Sequence, residues 1–117
     1  MGKFKDLRVW QEATELAIDV YKMTFDGLLE KDFALKDQIR RSAISVPSNI
    51  AEGDELGTNK QAINLFFHAR GSAAELQTQL ILAQKIDYIE AETLERLEAR
   101  CEKIRAMLNK LISSRKD

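Results

Sequence analysis

Apolar residues recur every three or four positions along most of this chain, the spacing that places them on one face of an α-helix. Four such stripes occur, and they predict helices over about residues 6–25, 34–53, 59–86 and 91–113. The last stripe alternates steps of three and four residues, as the seam of a helical bundle does. No comparable stretch alternates with a period of two, so no β-strand is predicted. The chain is therefore predicted to be all-α.

The residues between the stripes indicate how the helices are joined. Thr58 and Gln61 form a capping-box pattern at the start of the third helix. Asp26-Gly27 is expected to end the first helix, and Asp87, a residue type that tolerates the left-handed conformation, to end the third. Because the connections are short, consecutive helices must lie antiparallel. The prediction is a single domain of 117 residues, folded as an antiparallel up-down-up-down four-helix bundle.

Pro47 lies inside the second predicted helix, where its ring removes a backbone hydrogen bond at a cost of about 3 kcal/mol. Two interpretations are open. In the first, the proline kinks the helix so that Ile50 and Ala51 wrap around the bundle or a partner. In the second, the helix ends near Ser45 and a new one begins at Pro47, since proline is favoured in a first turn.

Two helices carry more apolar residues than one core-facing stripe needs. Phe67, Ala74 and Ile81 lie seven residues apart beside the main stripe of the third helix, and Ile18 and Phe25 do the same on the first. One interpretation is a wide face that packs entirely into the core. The other is an exposed apolar strip, which usually marks a surface for a partner or a second copy.

Composition narrows the class of protein. A length of 117 residues is enough for one domain with its own hydrophobic core. The formal net charge of −1, from 18 basic and 19 acidic residues, is not that of a protein that coats nucleic acid. The single cysteine fits a reducing compartment, and no apolar run approaches the ~20 residues of a membrane span. The N-terminus has no signal-peptide pattern, so we expect a cytoplasmic protein without a membrane partner.

No pattern in the chain indicates catalysis, a metal site or a cofactor. His68 has Leu65 rather than a glutamate three residues before it, so the Glu-x-x-His ligands of metal-binding bundles are absent. Cys101 lies in the core stripe of the fourth helix, where a free cysteine acts as a small hydrophobic residue. We therefore expect no catalytic, cofactor-binding or metal-binding residue, and an enzyme is the least favoured class.

Residues on the second and third helices are the best candidates for contacts between subunits. Arg40 and Glu52 flank the apolar stripe of the second helix, and Glu75 follows the small residues 71–74 on the third. Small residues let another helix approach closely, and an Arg–Glu pair there can be held in bidentate geometry. The alternative is a solvated ion pair of almost no energetic consequence. The predicted interface residues are Arg40, Pro47, Glu52, Phe67 and Glu75.

Basic residues are concentrated near the two ends of the sequence. If the first and fourth helices are neighbours, these residues form a modest basic patch that could bind RNA or DNA, strengthened by repetition in an oligomer. The alternative is an ordinary solvated face. The candidate nucleic-acid-binding residues are Lys3, Lys5, Arg8, Arg100, Lys103 and Lys110.

Several of these segments resemble a known family. Residues 4–11 are similar to its opening signature, residues 38–53 to its most recognisable block, and Tyr88-Ile89 to the end of its third helix. The chain is identified as a member of the four-helix bundle family also called 23S rRNA intervening-sequence proteins. The resemblance covers nearly the whole chain.

The resemblance implies an antiparallel four-helix bundle that assembles into a homopentameric ring. A related protein, the accessory protein of diversity-generating retroelements, is a basic pentamer that binds nucleic acid and a reverse transcriptase. This chain departs from the basic relative in its balanced charge, and from the family pattern at Asp87, where glycine is usual. We therefore expect a non-enzymatic oligomeric scaffold whose partner is a protein or structured RNA. The alternative is a protein that binds RNA or DNA directly through its basic residues.

Overall fold

The computed structural model describes residues 3–116, and this part of the chain contains helices and turns but no strand. The elements are a 3-10 turn at Phe4–Asp6 followed by α1 (Arg8–Met23), α2 (Gly27–Lys31), α3 (Phe33–Glu55), α4 (Asn59–Lys85) and α5 (Ala91–Arg115). The all-α prediction is confirmed. The four long helices begin and end within two residues of the predicted bounds. The short helix α2 occupies a segment that the sequence predicts as a loop.

The four long helices form a bundle in which each packs against two others. Helix α1 contacts α3 and α5, and α4 contacts the same two helices from the other side. Hydrogen bonds across α3 and α4 show that these helices are antiparallel. Ser42 Oγ donates to Gln79 Oε1 at 2.6 Å, and Ser45 Oγ shares a hydrogen bond with Ser72 Oγ at 2.8 Å. Later residues of α3 therefore lie beside earlier residues of α4.

The buried face of each long helix is its predicted apolar stripe. Large side chains from all four helices meet in one core, and each contributes about 1.5–3 kcal/mol through its removal from water. The largest fully buried side chains include Leu16, Ile39, Ile50, Phe66, Leu76, Leu80, Leu97, Ile104 and Leu108. Cys101 is buried among them, as predicted.

The helix ends agree with the predicted signals in part. Thr58 Oγ1 accepts a hydrogen bond from Gln61 N at 3.2 Å, which confirms the cap of α4. The side chain of Gln61 contacts the Thr58 hydroxyl instead of the Thr58 backbone, so the reciprocal half of the capping box is not formed. Asp87 follows α4 with φ of 66°, the left-handed conformation that was predicted. Helix α1, however, ends at Met23, and Gly27 with φ of 67° begins α2.

Pro47 lies within a continuous helix. Because α3 runs from Phe33 to Glu55 without a break, the interpretation that a helix ends near Ser45 and restarts at Pro47 is wrong. Pro47 has no N–H to donate to Ala43 O, so one backbone hydrogen bond of the helix is missing. In the next turn, Asn49 Nδ2 donates to both Ser45 O and Ser45 Oγ at 2.9 Å. These bonds add side-chain contacts near the proline but do not replace the missing one.

Replacing Gly53 with alanine is expected to lower the free energy of unfolding by about 1–3 kcal/mol, although alanine normally stabilises a helix. A Cβ atom at Gly53 would lie 2.8 Å from Cε1 of the buried Phe66 and 3.2 Å from Ala62 O, so backbone and core would both have to shift. Gly71→Ala is the matched control because its Cβ would meet nothing within 4 Å. Urea denaturation of the two variants, at a protein concentration at which the chain is monomeric, checks this, and equal stability changes would contradict it.

Candidate functional site

Arg40 is held in a fixed position between α3 and the end of α1. Its Nε donates to Thr24 Oγ1 at 2.7 Å, and its guanidinium carbon lies 4.2 Å from the ring centroid of Tyr21 and 5.1 Å from that of Phe25. Thr24 Oγ1 in turn donates to Tyr21 O at 2.6 Å. Within residues 3–116 neither Nη atom of Arg40 makes a hydrogen bond, so the outer edge of the guanidinium is free to bind a ligand.

An open groove of about 530 Å³ lies beside this guanidinium, lined by Phe33, Lys36, Asp37 and Arg40 together with Ala34. Lys36 Nζ lies 4.6 Å from the centroid of the Phe33 ring and donates to Glu30 O at 2.9 Å. Asp37 is turned away, since its carboxylate accepts a hydrogen bond from Arg41 Nε at 3.0 Å. The groove therefore presents an aromatic ring and two positioned cations.

Large apolar side chains are also exposed on α1, on α3 and in the turn that follows α1. Phe33 is 73% exposed and Phe25 is 56% exposed, while Ile18 and Ile44 are about half exposed. Ile44 lies one turn after Arg40, on the same side of α3. We call Ile18, Phe25, Phe33, Arg40 and Ile44 the arginine face.

A second groove lies on the outer surface of α4. It has a volume of about 540 Å³ and is lined by Asn64, Phe67, His68, Gly71, Ser72 and Glu75. A smaller hollow between α3 and α4 continues from it and shares Glu75, with Gln38, Arg41, Ser42, Ser45 and Gln79 as its other lining residues. We call Phe67, Gly71, Ser72 and Glu75 the glutamate groove.

Of the five residues predicted for subunit contacts, Arg40 lies on the arginine face, and Phe67 and Glu75 lie on the glutamate groove. Arg40 and Pro47 are half-buried, whereas Glu52, Phe67 and Glu75 are exposed. No ion pair joins Arg40 to Glu52 or Glu75 within the described part of a single chain. Their role in assembly stays a prediction, since one chain contains no subunit contact.

The apolar excess seen in the sequence divides into two groups. Phe67 is 39% exposed and, like Ile18 and Phe25, lies outside the core. The wide-core interpretation is wrong for these three. Ala74 and Ile81 are half-buried, so the strip on α4 is not exposed along its whole length.

Comparison with known proteins identifies the family. The family model described as 23S rRNA-intervening sequence protein matches residues 5–110. The chain belongs to this family. A solved structure from Bacteroides thetaiotaomicron, a protein of unknown function from the S23 ribosomal protein family, superimposes with a TM-score of 0.82. It is 27% identical in sequence, and the match covers 89% of this chain and 97% of that one. Among curated proteins, no sequence is similar enough to show a relationship.

In this member of the 23S rRNA-intervening sequence protein family, two of the predicted nucleic-acid-binding residues are already paired. Arg100 Nη1 lies 2.7 Å from Asp19 Oδ2, and Lys103 Nζ lies 3.1 Å from Glu12 Oε1. Both pairs join α1 to α5. The later residue on α5 pairs with the earlier residue on α1, as expected for antiparallel helices. Their positive charges are offset within the chain, which weakens both as phosphate ligands.

The remaining basic candidates are exposed and lie at one end of the bundle. Lys3, Lys5 and Arg8 are near the start of α1, and Lys110 is near the end of the antiparallel α5. Acidic residues are interleaved with them. Glu55 shares a small surface pocket with Lys3 and Lys5. The family member therefore has a modest and mixed basic end, not a continuous cationic surface.

Among the described residues, the other chemistry-bearing side chains form no candidate metal site. His68 is exposed in the glutamate groove. Within residues 3–116, no group of three or more His, Cys, Asp or Glu side chains is arranged to hold a metal ion. In the same part of the chain, no helix has the length and apolar character needed to cross a membrane.

Cys101 is expected to react with thiol reagents at least about 100-fold more slowly in the folded protein than in denaturant. Burial is the main cause that raises the pKa of its thiol to about 12, with Glu98 adding to the rise and Arg100 opposing it. The thiol therefore stays protonated near neutral pH and becomes reactive only when the core opens. Stopped-flow measurement of labelling with and without denaturant checks this. Rapid labelling of the native protein would contradict the burial of Cys101.

The sequence did not reveal the neighbours of Arg40. Thr24 and Tyr21 lie 16 or more residues before it on another helix, and no local spacing connects them. Two local signals were available. Tyr21 and Phe25 are one helical turn apart and stack edge to face at 5.8 Å, and Lys36 precedes Arg40 by one turn. Together these spacings indicate an aromatic pair on one helix and a cation pair on the next.

Proposed function

We propose that this protein is a non-enzymatic scaffold that assembles with further copies of itself into a homopentameric ring and contacts a protein or structured RNA. The observation that carries the proposal is the arginine face. It combines a positioned guanidinium with four large apolar side chains that remain in water in a single chain. Contiguous apolar surface of this kind is typical of a protein-binding site.

The distribution of exposed apolar side chains supports an assembly in which some faces of the bundle are covered and the outer face of α5 is not. They lie on α1 to α4 and on the connections between helices, whereas α5 contributes none within the described residues. The large exposed apolar residues are Ile18, Phe25, Leu28, Phe33, Ile44, Leu56, Phe67, Leu82 and Ile86. The outer surface of α5 thus remains available to water or to a polar partner while the other faces are covered by neighbouring copies.

Direct binding of RNA or DNA is the second candidate function. It is supported by Lys3, Lys5, Arg8 and Lys110, which are exposed near one end of the bundle. In a ring, several such ends would act together, so weak contacts would add to a useful affinity. Each phosphate that is neutralised adds close to one unit to the slope of log affinity against log salt, whereas a protein partner adds little. Salt dependence therefore distinguishes the two functions.

The first experiment is light scattering coupled to size exclusion, with the A260/A280 ratio recorded on the same peak. Five times the chain mass of 13.3 kDa, free of nucleic acid, is the result expected of a scaffold. The same mass with copurified nucleic acid would favour direct binding of RNA or DNA. A monomer at all concentrations would overturn the proposed self-assembly.

A further inference from the structure

We propose that the contact between copies is heterologous: the arginine face of one copy packs against the glutamate groove of the next, and Arg40 donates to the carboxylate of Glu75. This inference rests on the proposed self-assembly and specifies its chemistry. The occupant of the arginine face is thus a second copy of this chain, offering a carboxylate beside a patch of bare helix backbone.

The two surfaces lie on opposite flanks of α3. Arg40 faces α1, because its hydrogen bond goes to Thr24 and its guanidinium stacks on Tyr21. Glu75 faces the other flank, where it shares a hollow with Ser45 and Gln79. A contact between the two surfaces therefore uses different patches on the two copies, as a head-to-tail contact requires.

The polar groups of the two surfaces complement each other. The Nη edge of Arg40 is free, and its Nε and aromatic contacts hold the guanidinium in one orientation. Glu75 is exposed and makes no hydrogen bond or ion pair within the described part of its own chain. Arginine and carboxylate form paired parallel hydrogen bonds, about twice as strong as neutral ones. A guanidinium that is already oriented loses little side-chain entropy when it forms them.

The local charges favour a single carboxylate over a polyanion. Lys36 and Arg40 supply two positive charges, but Asp37 lines the same groove and Glu30 Oε2 lies 3.8 Å from Lys36 Nζ. Asp37 is paired with Arg41, so the groove keeps only a small net positive charge. Repeated phosphates would find Arg40 alone without an acidic partner, whereas one glutamate needs no more than that cation.

The shapes of the two surfaces also match. Phe33 and Phe25 project from the arginine face. On the glutamate groove, Gly71 leaves the helix backbone bare between Phe67 and Glu75, and a Cβ atom added there would meet nothing within 4 Å. A bare backbone allows close approach of an aromatic side chain, which would then be buried beside Phe67. Apolar burial supplies the affinity, and the Arg40–Glu75 pair fixes the register.

A contact of this type has a consequence for the form of the assembly. Because each copy uses one surface and leaves the other free, addition continues until a ring closes or an open filament forms. A two-fold dimer would instead use a contact to which both copies contribute the same patch. Assemblies larger than two copies are therefore expected.

The test is the charge reversal Glu75→Arg, measured by sedimentation velocity over a range of protein concentrations. The apparent dissociation constant of the assembly is expected to rise about 100-fold or more, because two buried cations would face each other. Glu75 makes no hydrogen bond or ion pair within the described part of its chain, so the helical content should not change. Glu95→Arg is the matched control: it makes the same charge change at an exposed site on α5 and should leave the assembly intact.

A second pair of variants tests Arg40 itself. Arg40→Lys keeps the charge but loses the planar fork, so assembly should weaken less than in Glu75→Arg. Arg40→Glu combined with Glu75→Arg should restore assembly, because the charges are exchanged across the contact. Circular dichroism is needed for the double variant, since Arg40 also stacks within its own chain. If that variant does not fold, Arg40→Lys decides.

The outcomes separate this inference from the proposed function. If the wild-type protein is a monomer, self-assembly itself fails. If the wild type assembles and Glu75→Arg assembles equally well, the scaffold proposal stands and the Arg40–Glu75 contact is wrong. A wild-type dimer, or a nucleic-acid complex that Glu75→Arg leaves unchanged and Arg40→Lys weakens, would likewise overturn the heterologous contact.

Discussion

Replacing Phe66 with alanine is expected to lower the free energy of unfolding by about 3–5 kcal/mol. The ring is completely buried in the core on α4. It lies beneath Gly53 of α3, whose Cα approaches so closely that no Cβ would fit. The guanidinium carbon of Arg115 lies 5.4 Å from the ring centroid. Removing the ring would leave a cavity where three helices meet, and the surrounding backbone could close it only in part.

Phe67→Ala provides the matched control. The two residues are neighbours on α4, but Phe67 is 39% exposed and lies on the glutamate groove. Its removal should lower the free energy of unfolding of the chain by about 1 kcal/mol or less, in line with its partial burial. Urea denaturation at a protein concentration at which the chain is monomeric measures both. Similar losses for the two variants would mean that α4 is rotated relative to its described position.

The positions of Phe66 and Phe67 show why much of the fold could be predicted. The apolar stripe of α4 has a local period, so the sequence places Phe66 in the core and Phe67 beside it without knowledge of other helices. The same reasoning gives the four long helices. It fails for α2, because Gly27–Lys31 is too short for a period to be recognised.

The candidate site was less predictable, because its geometry depends on contacts between distant segments. The sequence indicated Arg40, but its contacts with Thr24 and Tyr21 depend on the packing of α3 against α1. Likewise, Arg100 and Lys103 look like free cations until α5 is placed beside α1. The sequence shows which residues are charged and on which face of a helix they lie. Only the register between helices determines which of these charges remain unpaired.

The second large effect is expected at the ion pair that ties the end of α5 to the end of α3. Arg115 Nη2 lies 2.8 Å from Asp54 Oδ1, and the side chain of Asp54 is only 5% exposed. Asp54 Oδ2 is buried and has no hydrogen-bond partner within the described residues. Arg115 is therefore the main compensation for this buried carboxylate.

Arg115→Met is expected to lower the free energy of unfolding by about 2–4 kcal/mol, since it leaves the carboxylate of Asp54 buried without a cation. The upper end of the range for buried pairs does not apply, because the side chain of Arg115 is 26% exposed and water can replace part of the lost interaction. Methionine preserves some of the packing on Phe66, so the loss reports chiefly on charge. The C-terminal turn of α5 should also fray, which hydrogen exchange would detect.

A double-mutant cycle separates the pair from its surroundings. Asp54→Asn combined with Arg115→Met removes both charges, and it should be less destabilising than Arg115→Met alone, because no charge remains unpaired in the buried site. Chemical denaturation of the four proteins gives the coupling. If the losses of the two single variants simply add in the double variant, Asp54 and Arg115 do not stabilise each other. In that case apolar contacts alone would hold the end of α5, and the loss of the Arg115 side chain would not loosen α3.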